Sequence, residues 1–95
     1  MPAYVVTNVL VTDPDQYRKY TVAGHAAVIA NGGRFLVEGG KPELFEGDWL
    51  PKRMAIVEFP SVEAAKRFYA SPDYVAARKE RAGAAQFNMI VVQGT

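Results

Sequence analysis

The chain contains no cysteine, which excludes disulfides, a thiolate nucleophile and thiolate metal sites. It has one histidine, His25, so a histidine-rich metal centre cannot be built within one chain. An excess of charge is also lacking. Eleven Lys and Arg oppose ten Asp and Glu, a formal net charge of +1, without the basic stripe that an extended nucleic-acid surface needs. No segment approaches the ~18 consecutive apolar residues of a membrane span. The opening Met1-Pro2-Ala3-Tyr4-Val5-Val6 lacks the basic segment and long apolar run of a secretory signal. The expected setting is therefore the cytoplasm, with neither membrane nor nucleic acid as partner. No phosphate-cradling loop, Ser-His-Asp spacing or dinucleotide fingerprint is present. The glycine pairs at 32–33 and 39–40 read as strand punctuation, and no cofactor or metal is expected.

What is there is a small core-forming domain. The 95 residues are 49% hydrophobic and 12% aromatic, enough for a single packed unit. Ala3 to Val11 alternates Tyr4, Val6, Asn8 and Leu10 with Val5, Thr7, Val9 and Val11; both faces are largely apolar and rich in β-branched residues, as in an interior strand. Asp13-Pro14-Asp15-Gln16 then predicts a helix start, with Asp13 as cap, Pro14 in the first turn and Gln16 returning a capping-box bond. The helix carries Tyr17, Tyr20, Thr21, Gly24 and Val28 as its core stripe and stops at Asn31-Gly32-Gly33, where glycine supplies a positive φ. Arg34 to Glu38 is a second strand, with Phe35 and Val37 on one side and Arg34, Leu36 and Glu38 on the other. A loop over 41–52, containing Trp49, leads to a third strand at Arg53–Phe59. Ser61 caps a further helix bearing Ala64, Ala65, Phe68 and Tyr69. Ser71-Pro72-Asp73 predicts that this helix kinks or restarts, before Gly83 ends it and Phe87–Gln93 forms the last strand.

Strand, helix, strand, strand, helix, strand is the ferredoxin-like α+β order, a four-stranded antiparallel sheet with its helices on one face. Two helical stretches cover only one side of a sheet that is apolar on both. The other side must be hidden, because large open apolar patches are rare on soluble monomers. The expectation is a single domain over 1–95 that forms a homodimer enclosing a largely apolar cavity for a small-molecule ligand.

Candidate chemistry lies where polar residues interrupt the strand faces: Asn8, Arg34, Glu38, Glu58 and Asn88. A buried charge needs a partner or a ligand. Near strand ends, solvent or a pairing across the dimer would serve Arg34, Glu38 and Glu58 equally well. His25, the only side chain with an unperturbed pKa near neutrality, lies about 80° from the centre of the helix stripe at about 100° per residue. It sits beside Thr21, where it can lean over a cleft mouth or stay at the surface. Tyr17, Tyr20, Tyr69 and Tyr74 have helical spacings that core packing explains without any function, though they can still present hydroxyls to a ligand, since a buried phenol usually finds a partner. Lys66, Arg67, Arg78, Lys79 and Arg81 form a weak basic cluster of the kind found on a solvated helix face.

From Gly32-Gly33-Arg34-Phe35-Leu36-Val37 onward the chain resembles a bacterial family, domain of unknown function 1330. The likeness continues through Phe45-Glu46-Gly47-Asp48-Trp49, Val57-Glu58-Phe59-Pro60-Ser61 and Tyr69-Ala70-Ser71-Pro72-Asp73-Tyr74, and closes at Arg81 and Val92-Gln93-Gly94. The resemblance implies the dimeric α+β barrel superfamily, in which two ferredoxin-like protomers pack sheet to sheet around a cavity. That superfamily includes cofactor-independent monooxygenases, muconolactone isomerases, haem-dependent dismutases and ligand-sensing domains, so it implies a fold more than a function. The matching blocks make Arg34, Glu46, Gly47, Trp49, Glu58, Ser71, Tyr74 and Arg81 the first candidates for a shared site. At one point the chain departs from the pattern: Glu38 stands where an arginine often precedes the glycine pair. This reverses the local charge and argues against anion binding there.

The resulting expectation is cofactor-free proton transfer or oxygenation of a small, partly apolar metabolite. Glu58 or His25 would be the base, and Arg34 or Arg81 would hold an anionic oxygen. Asn8, Glu38, Trp49, Tyr74 and Asn88 complete the candidate ligand-binding set. Two other readings remain open at this level: a ligand-binding or stress-linked protein without turnover, and a closed, dry interface between subunits.

Overall fold

A computed structural model describes residues 1–95. Its elements run β1 (Ala3–Val11), α1 (Pro14–Ala30), β2 (Arg34–Gly40), β3 (Arg53–Phe59), α2 (Val62–Ala70), α3 (Pro72–Glu80) and β4 (Ala85–Gln93). The strands form one antiparallel sheet in the order β2-β3-β1-β4, the ferredoxin-like topology. β2 and β4 run two residues longer than their sequence patterns predict, into Gly39-Gly40 and back to Ala85. No helix is long and apolar enough to cross a membrane.

The local signals work largely as their chemistry dictates. The Asp13 carboxylate accepts from the Gln16 amide at 3.2 Å, capping α1. Gln16 does not return the bond; its Nε2 donates to the Glu80 carbonyl at 2.7 Å and ties the start of α1 to the end of α3. Ser61 caps α2 through the Ala64 amide at 3.0 Å. Pro72 has no amide hydrogen to continue α2, and Ser71 turns the chain by accepting from the Tyr74 amide at 3.3 Å, so three helices stand on the sheet. Gly32 ends α1 with φ +84°.

The helices cover the face of β1 that carries Ala3, Val5, Thr7 and Val9, all buried. Val5, Val28, Val57, Phe59, Phe68 and Tyr74 form the centre of the core, with the Phe59 and Phe68 rings 5.0 Å apart. Burying each such aromatic ring favours folding by about 1.5–3 kcal/mol. The opposite face, with Tyr4, Val6, Leu10, Ile56, Ile90 and Val92, has no helix over it.

In β2 strict alternation fails. The register passes from Phe35 opposite Val57 directly to Val37 opposite Ile56, with Leu36 as an extra residue, and shifts again between Glu38 and Gly40. The first bulge exchanges the faces of the residues beyond it. Glu38, expected beside Arg34, therefore pairs with Ala55 and turns towards the helices. Gly39, at φ +75°, takes the backbone conformation that the second irregularity requires.

Candidate active site

A cavity of about 340 Å³ lies between α1 and the helix-covered face of the sheet. This void lies within the protomer, on the side of the sheet opposite the helix-free face, where the sequence pattern predicts a cavity between subunits. Val5, Val9, Val57, Phe68, Phe87 and Met89 supply apolar walls, while Thr7, Tyr17, Tyr20, Thr21, His25, Glu38, Arg53 and Tyr74 supply polar groups. The amphipathic stripe of α1 provides one wall; the inward residues of β1, β3 and β4, together with the bulged end of β2, provide the other.

His25 projects from α1 and meets Glu38 from β2, with Nδ1 2.8 Å from Oε2. Its ring stacks on Phe35 with centroids 4.7 Å apart and planes 6° from parallel. Both side chains are about half exposed, so the pair stands at the cavity mouth. An ionised carboxylate accepts only. In the neutral imidazole the hydrogen therefore lies on Nδ1, and Nε2 keeps its lone pair. Arg53, at the first position of β3, has no acidic partner within ion-pair distance. Its guanidinium passes over Gly39, 3.2 Å from where a Cβ would lie.

Deeper in, the hydroxyls of Tyr20 and Tyr74 are 2.7 Å apart, and Arg81 donates to the Tyr74 oxygen at 3.4 Å. The Arg81 guanidinium lies 3.7 Å from the Phe87 ring centroid and 4.9 Å from that of Tyr20, a cation–π seat. Burial raises the pKa of Tyr20 far above that of a free phenol, and its Tyr74 neighbour adds to the effect. Burial also raises Tyr17, against the opposing pull of Arg81 and Arg53. These phenols remain protonated at neutral pH.

A family model described as Domain of unknown function (DUF1330) matches residues 2–95. The chain belongs to the DUF1330 family. No protein with a curated description matches it. Among solved structures it is similar to RPA0582 of Rhodopseudomonas palustris, a protein of unknown function, at 23% identity and TM-score 0.73, covering 99% of this chain and 82% of that one. SnoaB from Streptomyces nogalater, a cofactor-independent oxygenase, aligns over 99% of this chain and 93% of its own at 14% identity and TM-score 0.72. A dimeric ferredoxin-like protein of unknown function from Jannaschia aligns over 99% of this chain and 100% of its own, at 10% identity and TM-score 0.69. Likeness at these identities establishes the ferredoxin-like α+β fold.

Within this DUF1330 chain the residues singled out from sequence divide into separate groups. His25, Glu38 and Tyr74 line the cavity, and Arg81 reaches it through Tyr74. Arg34 and Glu58 lie on the helix-free face, paired across β2 and β3 at 2.8 Å. Asn8 and Asn88 share that face as direct partners in the β1–β4 ladder. Trp49 is 65% exposed on the β2–β3 loop, outside the cavity lining. The basic cluster is partly engaged by aromatic rings: Arg78 lies 3.9 Å from the Tyr69 ring centroid. Arg53 was missed as a site group; the Tyr20 hydroxyl, weighed from sequence with the other helical tyrosines as a ligand contact, lines the cavity. No three His, Asp or Glu side chains gather as a metal site would need.

Proposed function

We propose that this protein is a cofactor-free enzyme that removes a proton from a small, partly apolar substrate held between α1 and the sheet. The observation that carries the reading is the His25–Glu38 pair at the mouth of the cavity. A carboxylate that fixes the tautomer of a histidine, with the far nitrogen free beside a cavity, is the arrangement a general base needs. His25 is the base and Glu38 orients it. The apolar walls receive the substrate body, and Arg53 at the rim favours a substrate with anionic character. SnoaB, a cofactor-independent oxygenase, shares the fold, which supports catalysis without a cofactor on this scaffold.

The same reading includes a cytoplasmic homodimer formed through the helix-free face. Tyr4, Val6, Ile56, Ile90 and Val92 make that face apolar, and related folds are described as dimeric. Asn8, Asn88, Arg34 and Glu58 are then interface groups, and Glu58 is not the base.

The test is a panel of enolisable ketones and phenols incubated with the protein in deuterated water. Proton exchange is followed by nuclear magnetic resonance, and dissolved oxygen is monitored in parallel. Exchange or oxygen uptake by the wild type, lost in His25→Gln and kept in Glu58→Gln, supports the assignment. Turnover that survives His25→Gln refutes it. Saturable binding in the cavity without turnover favours the alternative, a ligand-binding protein.

A further inference from the structure

Arg81 can only donate hydrogen bonds, so in its contact with Tyr74 the phenol oxygen accepts. Tyr74 is 1% exposed, and its hydroxyl makes one other hydrogen bond, to Tyr20. Both phenols line the cavity, but Tyr74 is almost fully buried and Tyr20 only partly, so a hydrogen left without a protein acceptor costs more on Tyr74 than on Tyr20. In the favoured arrangement Arg81 donates to Tyr74, and Tyr74 donates to Tyr20. The hydrogen of Tyr20 then has no acceptor within the protein, and Tyr20 lines the cavity.

We infer that Tyr20 is the hydrogen-bond donor to the substrate oxygen, and that the substrate is an enolisable carbonyl compound or the corresponding phenol. This rests on the reading of His25 as base. Tyr20 and His25 project from the same wall of the cavity, because Tyr20 leans along α1 over Gly24, the residue before His25. The Tyr20 oxygen is 3.3 Å from where a Cβ on Gly24 would lie. In the step, the C–H bond next to the carbonyl breaks and its proton passes to Nε2 of His25. The C–H electron pair becomes the C=C bond, and the carbonyl π pair moves onto oxygen. The Tyr20 hydroxyl donates to that oxygen as its charge grows. Each donor in the chain polarises the next, so Tyr74 and Arg81 are positioning residues that strengthen Tyr20. The raised pKa of Tyr20 keeps it a donor rather than a second base.

Two isosteric probes test this directly: para-nitrophenol, which offers an oxyanion, and para-nitrotoluene, which does not. Wild-type protein is expected to bind the nitrophenol as its phenolate, visible in its absorption band, more tightly than the nitrotoluene. Tyr20→Phe should weaken phenolate binding roughly tenfold or more and leave nitrotoluene binding unchanged. Arg81→Gln, altered outside the cavity lining, should produce a smaller loss of the same kind, and it serves if Tyr20→Phe does not fold. Glu58→Gln, on the opposite face of the sheet, should keep the phenolate preference, since the donor chain is intact. Equal weakening of both probes, or an unchanged phenolate affinity in Tyr20→Phe and Arg81→Gln, overturns the donor assignment while leaving His25 as base. Failure of either probe to enter the wild-type cavity overturns the substrate class. A phenolate preference lost only in His25→Gln assigns the oxygen contact to the histidine instead.

Discussion

Tyr20 packs against Gly24 one turn further along α1, with its ring carbon Cζ 3.0 Å from the point that a Cβ on Gly24 would occupy. Side chains on a helix normally lean towards its N-terminus; Tyr20 leans the other way, into space left open by the glycine. The Gly24→Ala substitution should gain about 1 kcal/mol of helix propensity and lose about 1–3 kcal/mol by crowding a ring held at its far end by Tyr74. The expected outcome is an unchanged or lower Tm, with a changed tyrosine signal in near-ultraviolet circular dichroism. A clear rise in Tm with an unchanged signal would show that the ring moves aside freely and that the seat is unimportant.

The two carboxylates considered from sequence should differ sharply. Glu38 holds His25, whereas Glu58 pairs with Arg34 on the other side of the sheet. Once a substrate is found, His25→Gln should lower kcat by roughly 10²–10⁴-fold. Glu38→Gln should cause part of that loss with KM little changed, and should alter the pH profile because the imidazole tautomer is no longer fixed. Glu58→Gln should leave kcat within about twofold, because Glu58 lies on the face of the sheet away from the cavity. Equal kinetic effects of the Glu38 and Glu58 substitutions would contradict the separation of the two faces.

Much of this architecture is written locally. β1 and β3 follow from β-branched alternation, α1 from its Asp13-Pro14 start and glycine stop, and the break at Ser71-Pro72 from a proline that cannot extend a helix. The site is written in contacts that local pattern does not reach. Whether Leu36 is an extra residue depends on the register of β3, so strict alternation put Glu38 on the same face as Arg34 and left His25 without an orienting partner. The Gly39-Gly40 pair was a hint, since glycine within a strand often marks a bulge. The Tyr20–Tyr74 bond joins positions 54 residues apart, and nothing in the spacing of either helix specifies it. Arg53 is the first residue after a long loop, exposed, and only the folded sheet brings it to the rim of the cavity.

Alkaline pH should unfold the protein through its buried phenols. Burial, reinforced by Tyr74, raises Tyr20 above its unfolded value, and burial raises Tyr17 as well. A group whose folded pKa is raised contributes stability that is complete below its unfolded pKa, about 10 for tyrosine, and is lost as pH rises beyond it. Denaturation midpoints should therefore hold up to about pH 9 and fall above about pH 10. Tyr20→Phe should flatten the fall because phenylalanine cannot ionise. Tyr20 and Tyr17 should contribute to tyrosinate absorbance only with loss of the fold. Simple titration of all five tyrosines below the unfolding transition would contradict the burial argument.

The helix-free face offers the most direct test of assembly. Ile90 and Val92 of β4 stand there, 64% and 50% exposed, beside Val6 and Tyr4 of β1 in direct register. An interface of ordinary size buries about 800 Å² on each partner, and a lysine placed at its apolar centre has neither solvent nor counter-charge. Ile90→Lys should weaken dimerisation by at least about 100-fold, equivalent to about 2.7 kcal/mol. Analytical ultracentrifugation should then show monomer at concentrations where the wild type is dimeric. The His25–Glu38 pair lies on the far side of the sheet, so the monomeric variant should still bind ligands in its cavity if it remains folded by circular dichroism. An Ile90→Lys protein that stays dimeric would move the interface elsewhere. A monomer that loses ligand binding while folded would show that the partner subunit completes the site.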